Sequence, residues 1–231
     1  MASTVPESIY EKMLAEKVAQ WRTQKEPHAA EPVVHPFLAI SRDFGCGEEE
    51  LIPKLEKALG WKVYGKNILD YICQRDSLSR EIMDTLDEQS HSAINDWIQH
   101  LIHSGTISQQ NYVTQITRFI RVIAAHESAI FLGRGATFIL ADNPVGIRVY
   151  LTAPREARIQ HIMKIRQLDA DQARELVEKT DDSRHEFIRK YFKREADHPW
   201  EYDLVLNTQT LTADQICRTL KTLLDDKQKT S

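Results

Sequence analysis

The sequence lacks several features that would place it in other classes of protein. Its three cysteines stand far apart and form no CxxC pair, which argues against a disulfide framework or a zinc site and predicts free thiols. Its nine histidines show no HExxH spacing, so we predict no metal site built by the protein itself. No apolar run approaches the roughly 18 residues that span a bilayer, and no membrane partner is expected.

An excess of positive charge is also missing. The 30 basic and 34 acidic residues give a net charge of −4, which argues against a general nucleic-acid-binding protein. The first residues lack the basic start and apolar stretch of a secretory signal, so the expected compartment is the cytoplasm. With 42% hydrophobic residues, the 231-residue chain can bury one ordinary core.

Residues 7–25 carry apolar side chains at helical spacing, which predicts an amphipathic helix ahead of the main domain. Pro27, Pro32 and Pro36 then predict an extended linker, because proline disfavours helix at its own position and the one before it. We therefore divide the chain into a helix and linker over 1–35 and a main domain over 36–231. A second subunit could dock on Ile9, Met13 and Trp21, which makes a homodimer one hypothesis.

Five short apolar runs alternate with helical patterns in the main domain, which predicts an α/β fold with a five-stranded parallel sheet flanked by helices. The runs are 37–41, 61–64, 129–133, 147–152 and 203–207. Residues 48–59 and 154–191 have helical periodicity, as right-handed crossovers require. Residues 68–128 contain only helical patterns and predict a helical insertion on one side of the sheet.

Two helix starts carry a capping box, in which a side chain at the start and a glutamine three residues later bond each other's backbone amides. These are Asp169 with Gln172, and Thr212 with Gln215. The second begins a C-terminal helix predicted over 213–225.

The first strand leads into a Gly-x-Gly turn at Gly45, Cys46 and Gly47, followed by three glutamates at the start of a helix. Such a turn can bring backbone amides near an anion, with the positive end of the helix dipole behind them. The glutamates complement that dipole but would repel a triphosphate. The residues alone leave two interpretations open, a phosphate-binding loop and a tight turn before a well-charged helix start.

Four segments together resemble the cytidylate kinase-like family of P-loop nucleotide kinases: AISRDFGCGEEELIPKLEKALGW, FLGRGATFIL, RVYLTAPREARIQHIM, and DDSRHEFIRKYF followed by WEYDLVLNT. The resemblance covers most of the chain. It implies a phosphate loop after the first strand, an acceptor site beside the insertion at 68–128, and an arginine-bearing helical lid at about 155–195. It also implies ATP with Mg²⁺ as the phosphoryl donor and a nucleotide or other small phosphorylated molecule as the partner.

The resemblance assigns roles to particular residues. Arg42, Gly45, Cys46 and Gly47 would contact the ATP phosphates. Gly133, Arg134 and Gly135 would face the acceptor phosphate, together with Lys66. The family usually has Tyr-Asp after the second strand, where this chain has Tyr64-Gly65-Lys66. Arg184 and Arg189 would stabilise the charge of the transition state. The adjacent Asp181 and Asp182 point to different sides of a helix, so they are poorly placed to act as a pair, and we predict that they are surface charges.

The loop departs from the family pattern. Glu48 stands where a third glycine is usual and Glu49 where an arginine is usual, and neither a lysine nor a Ser or Thr for magnesium follows the loop. Two functions therefore stay open: an ATP-dependent phosphotransferase acting on a nucleoside monophosphate or similar small acceptor, and a catalytically inactive nucleotide-binding or regulatory module of the same fold.

Overall fold

The centre of the computed structural model, which describes residues 7–23, 35–86, 88–103, 105 and 111–230, is a five-stranded parallel sheet. The strands are β1 (Phe37–Arg42), β2 (Lys62–Gly65), β3 (Ala129–Leu132), β4 (Ile147–Thr152) and β5 (Leu204–Asn207). Their order is β2-β3-β1-β4-β5, and every neighbouring pair is parallel. The predicted fold class is confirmed.

Helices cover both faces of the sheet and also form the insertion. They are α1 (Glu7–Thr23), α2 (Glu48–Leu59), α3 (Lys66–Cys73), α4 (Asp76–Met83), α5 (Glu88–His103), α6 (Asn111–His126), α7 (Ala136–Ile139), α8 (Arg155–Arg166), α9 (Ala170–Phe192) and α10 (Ala213–Thr230). A 3₁₀ turn, Pro199–Glu201, precedes β5. Within the described ranges, none of these helices is both long and apolar enough to cross a bilayer.

Alternate residues of β1 point into two different cores. Phe37 and Ala39 join a cluster with the insertion helices on one face, whereas Leu38 and Ile40 join a cluster with α2 and α10 on the other. All four side chains are fully buried, as expected for a central strand covered on both faces. Since β1 lies between β3 and β4, its carboxyl end opens on the crevice where α/β proteins bind ligands.

The apolar stripe of α1 is buried within its own chain. Trp21 is fully buried and stacks on the ring of His126, with ring centroids 4.9 Å apart. Lys17 pairs with Glu127, the residue after α6, and the same carboxylate accepts a 2.6 Å hydrogen bond from the Tyr64 hydroxyl. These contacts fix α1 against the sheet and the insertion.

The homodimer hypothesis therefore loses Trp21 as a docking residue, while Ile9 remains 53% exposed. The dimer itself stays a prediction. The predicted linker ends at Pro36, and all of it before residue 35 lies outside the described part of the chain. The domain boundary at residue 36 also stays a prediction.

The predicted helical stretch 154–191 is two helices, α8 and α9. The chain turns at Gln167, whose φ of 55° ends α8, and the capping box of Asp169 and Gln172 starts α9. The backbone amide of Gln172 donates to Asp169 Oδ1 at 2.9 Å, which confirms the predicted start. The box of Thr212 and Gln215 is present as well, and α10 continues beyond the predicted end to Thr230.

Candidate functional site

The loop between β1 and α2, residues 43–47, turns on two glycines. Gly45 and Gly47 have φ values of 87° and 75°, in the left-handed region that glycine adopts at little cost. A Cβ at Gly45 would lie 3.0 Å from the carbonyl oxygen of Arg158 and from Ile162 Cγ1. Glycine at position 45 therefore lets the β1–α2 loop lie directly on α8.

Charged and polar side chains of β4, α8 and α9 hold this loop in place. Asp43 accepts hydrogen bonds from the Tyr150 hydroxyl at 2.5 Å and from Thr152 Oγ1 at 2.7 Å, both on β4. Burial, reinforced by the Asp43 carboxylate, raises the pKa of Tyr150 far above its ordinary value, so this phenol keeps its proton.

The lid helix α9 also binds the loop, through Asp181. Its carboxylate accepts the backbone amide of Phe44 at 2.7 Å and pairs with the buried Arg158 at 2.5 Å. Arg158 in turn donates to the Phe44 carbonyl at 3.1 Å. The prediction that Asp181 is a surface charge is wrong, because its side chain is 15% exposed and joins α8, α9 and the β1–α2 loop.

Glu48 lies between two arginines at the start of α2. Its Oε1 is 3.2 Å from Arg42 Nε and 3.5 Å from Arg184 Nη2, while Arg184 Nη1 donates to the Arg42 carbonyl at 3.0 Å. Burial, and then the neighbouring Arg184, lowers the pKa of Arg42 to about 10, although Glu48 opposes this shift. The carboxylate thus supplies the negative charge that holds the two guanidinium groups together.

The other two glutamates of the acidic run face away from these arginines. Glu49 contacts His161 on α8, and Glu50 pairs with Lys54 at 3.3 Å on the exposed side of α2. Among the three glutamates, Glu48 is therefore the one whose charge acts at the two arginines.

Beside the loop lies a cavity of about 550 Å³, the basic cavity, between α9 and the carboxyl ends of β1, β2 and β3. Its cationic lining residues are Arg42, Lys66, Arg134, Lys179 and Arg184, with His185 next to them. No carboxylate appears among the described residues that line it. Such a cavity favours an anionic ligand.

Arg134 is held in a strained conformation at the floor of the basic cavity. Its φ of 54° is uncommon for a residue with a side chain, and Gly133 and Gly135 on either side also have positive φ. The Arg134 guanidinium makes a two-pronged contact with Asp70, Nε to Oδ1 at 3.1 Å and Nη2 to Oδ2 at 2.6 Å. Tyr112 donates to the same carboxylate at 2.6 Å, so α3 and α6 together orient the arginine.

Gly133, whose φ of 77° favours glycine, lies against a second arginine. A Cβ there would lie 2.7 Å from Arg42 Nη1. The glycine therefore lets the end of β3 and the end of β1 place their arginines side by side in the basic cavity.

Comparison with known proteins identifies the family. Residues 37–210 match the cytidylate kinase-like family. The chain belongs to this family. A cytidylate kinase of Thermoplasma acidophilum is 23% identical over 193 residues, which are 83% of this chain and 94% of that protein. The crystal structure of an uncharacterized protein from Eubacterium ventriosum superposes with a TM-score of 0.67 at 21% identity, covering 83% of this chain and 99% of that chain, which shows the shared fold.

The structure brings most of the residues assigned by the family resemblance to one place. Arg42, Lys66, Arg134 and Arg184 line the basic cavity, and so do Gly133 and Gly135. Arg189 does not join them, because its side chain is 62% exposed and pairs with Glu195 at 3.0 Å. Its catalytic role stays a prediction that this arrangement does not support.

The Gly-x-Gly turn borders a second cavity of about 410 Å³ on the other side of the β1–α2 loop. Besides Gly45, Cys46 and Gly47, residues after β5 and on α8 line it, including Thr208 and His161. Burial raises the pKa of the Cys46 thiol to about 12, and the thiol contacts the Leu151 carbonyl at 3.6 Å. Cys46 is therefore a packing residue rather than a nucleophile at neutral pH. All three cysteines are free thiols, as predicted.

The described part of the chain contains no group of three or more His, Cys, Asp or Glu side chains placed to hold a metal ion.

Sequence reasoning missed Asp43, Asp70, Arg158 and the inward role of Asp181. One signal was available for Asp181, since residues three apart share a helix face and Arg184 was already assigned to the site.

Proposed function

We propose that the protein transfers the γ-phosphoryl group of ATP to a nucleoside monophosphate or similar small phosphorylated acceptor bound in the basic cavity. The observation that carries the proposal is the convergence of Arg42, Arg134 and Arg184 on one cavity beside the β1–α2 loop. Phosphoryl transfer depends on positioning and on cations that balance the charge of the transferring group. Membership of the cytidylate kinase-like family supports the same reaction class.

In this proposal Arg134 binds the acceptor phosphate. Its guanidinium is already oriented by Asp70, and an arginine fork matches two phosphate oxygens at once. Arg184, on the lid helix, and Arg42, at the end of β1, lie nearer the β1–α2 loop and would balance charge on the group in transit.

The residues fit ATP only after contacts of the β1–α2 loop rearrange. The two glycines give the turn a phosphate-binding shape, but Glu48 engages Arg42 and Arg184, and Asp181 already accepts the Phe44 amide. Bound Mg²⁺ would offset part of the triphosphate charge. We therefore propose that nucleotide binding displaces the Glu48 carboxylate from the two arginines.

The test is ATP consumption across a panel of nucleoside monophosphates with Mg²⁺. Arg134→Lys keeps a charge for Asp70 but loses the fork, so we expect kcat/KM to fall at least about tenfold. Arg218→Lys, the same change on the exposed side of α10, is the matched control and should leave turnover unchanged. Absence of turnover with every acceptor would reject the active form.

A second candidate function is a catalytically inactive nucleotide-binding or regulatory module. The observation in its favour is that Glu48 neutralises two of the arginines that catalysis needs. Calorimetric titration with Mg-ATP and with nucleoside monophosphates separates the two functions. Binding without turnover supports the inactive module, whereas turnover excludes it.

A further inference from the structure

We propose that the ligand of the basic cavity carries two separated anionic groups, at least one of them a phosphoryl group, instead of a single phosphate. The inference rests on the proposed function in one respect, since it takes the basic cavity to be the acceptor site. It adds the charge pattern of the acceptor, which neither the family nor the proposed reaction specifies.

The first argument is the spacing of the cations. Lys66 follows β2, Arg134 follows β3 by two residues, and Arg42 ends β1, and these three strands are adjacent in the sheet. Neighbouring strands lie about 4.8 Å apart, so the ends of β1 and β2 are roughly 10 Å from each other. One phosphate bound by the two arginines leaves Lys66 at the far end of that span.

The second argument is the distribution of counter-charges. Glu48 pairs with the arginines on the loop side, and Asp70 pairs with Arg134. Lys66 and Lys179 also line the basic cavity, and neither has an ion-pair partner within the described ranges. The positive charge that awaits a ligand is therefore greatest at these two lysines.

The third argument is the shape and polarity of the walls. At about 550 Å³ the basic cavity is far larger than an inorganic phosphate and falls in the range of sites for small organic ligands. Leu132, Leu176, Phe187 and Ile188 supply the apolar part of its wall. This mixed lining suits a molecule that has an organic body as well as anionic groups.

The experiment measures binding without ATP, so that it does not depend on catalysis. Calorimetry compares two pairs of ligands with the same body: cytidine 5′-monophosphate with cytidine 3′,5′-bisphosphate, and fructose 6-phosphate with fructose 1,6-bisphosphate. A second charge-assisted contact corresponds to about a tenfold or larger gain in affinity, so at least one bisphosphate should bind that much more tightly than its monophosphate.

Single substitutions test which lysines cause the gain in affinity for the bisphosphate. Lys66 and Lys179 are both exposed, and we expect Lys66→Gln, Lys179→Gln or both to remove most of the preference for the bisphosphate. Lys57→Gln, an exposed lysine on α2 that does not line the basic cavity, is the matched control and should keep the preference. A urea unfolding curve for each variant verifies that it is folded.

Three results would overturn the inference: equal affinity for both members of each pair, failure of all four ligands to bind at millimolar concentration, or equal loss of preference in Lys57→Gln. Kinase turnover, measured separately, keeps the two proposals apart. Turnover on a monophosphate without a bisphosphate preference refutes this inference alone, whereas a bisphosphate preference without any turnover refutes only the phosphotransferase.

Discussion

Replacing Glu48 with glutamine removes one negative charge from between two arginines while nearly preserving the side-chain shape. Glu48 Oε1 lies 3.2 Å from Arg42 Nε and 3.5 Å from Arg184 Nη2, and the side chain is 15% exposed. Without the carboxylate, the two guanidinium groups repel each other. An anion bound between them would relieve this repulsion. We therefore expect Glu48→Gln to lower the stability of the free protein and to strengthen its binding of phosphate chains.

The distances set the magnitude. Two unit charges about 4 Å apart interact by about 4 kcal/mol at an effective dielectric constant near 20. Residual exposure and the amide that replaces the carboxylate reduce this, so we expect unfolding free energy to fall by about 1 to 2 kcal/mol. Removing repulsion of the same size corresponds to a gain of about tenfold in affinity for a polyphosphate.

The assay is urea unfolding at several concentrations of sodium tripolyphosphate, together with calorimetric titration of the same ligand. A ligand that binds the native state stabilises it by mass action, so tripolyphosphate should restore the lost stability of Glu48→Gln. Glu56→Gln, also on α2 but lining neither cavity, is the control and should resemble the unmodified protein. The reasoning fails if Glu48→Gln binds tripolyphosphate no more tightly, or if its deficit is the same at every concentration.

Three further predictions concern stability. Gly135→Ala should lower unfolding free energy by about 3 kcal/mol in urea, because its Cβ would overlap the Phe192 ring, whereas Gly47→Ala, with a similar φ but open space, should lose about 1 kcal/mol. Asp181→Asn should cost about 2 to 3 kcal/mol by thermal unfolding, since it leaves a buried arginine without a counter-charge; a loss below about 0.5 kcal/mol would contradict this role. Burial, aided by a nearby histidine, lowers the pKa of His126 to about 4, below the unfolded value near 6.5. Between these two pKa values only the unfolded state protonates His126. The free energy of unfolding should therefore fall by up to about 2 kcal/mol as the pH is lowered from 6.5 to 4, and His126→Gln should flatten this dependence.

The sheet was predictable because its signals are local. Apolar runs located each strand to within a residue or so, and the capping boxes at Asp169 and Thr212 marked the starts of α9 and α10. Each of these patterns depends on residues within a few positions of one another, where backbone geometry dictates the spacing.

The candidate site was only partly predictable, because its contacts join distant parts of the chain. The Phe44 amide meets Asp181 across 137 positions, and Glu48 meets Arg184 across 136. Periodicity could still have separated Arg184 from Arg189. Residues five apart on an α-helix differ by about 140° in direction, so the two arginines could not both face one cavity.

The intramolecular docking of α1 constrains the order in which the protein folds as it is synthesised. Lys17 contacts Glu127, 110 positions later in the chain, and Trp21 stacks on the adjacent His126. At about 5 to 20 residues per second, a ribosome needs roughly 5 to 20 s to make that intervening segment. Throughout that time the end of α6, on which Trp21 stacks, does not yet exist, so a chaperone that binds apolar helices could reach this tryptophan before α6 does.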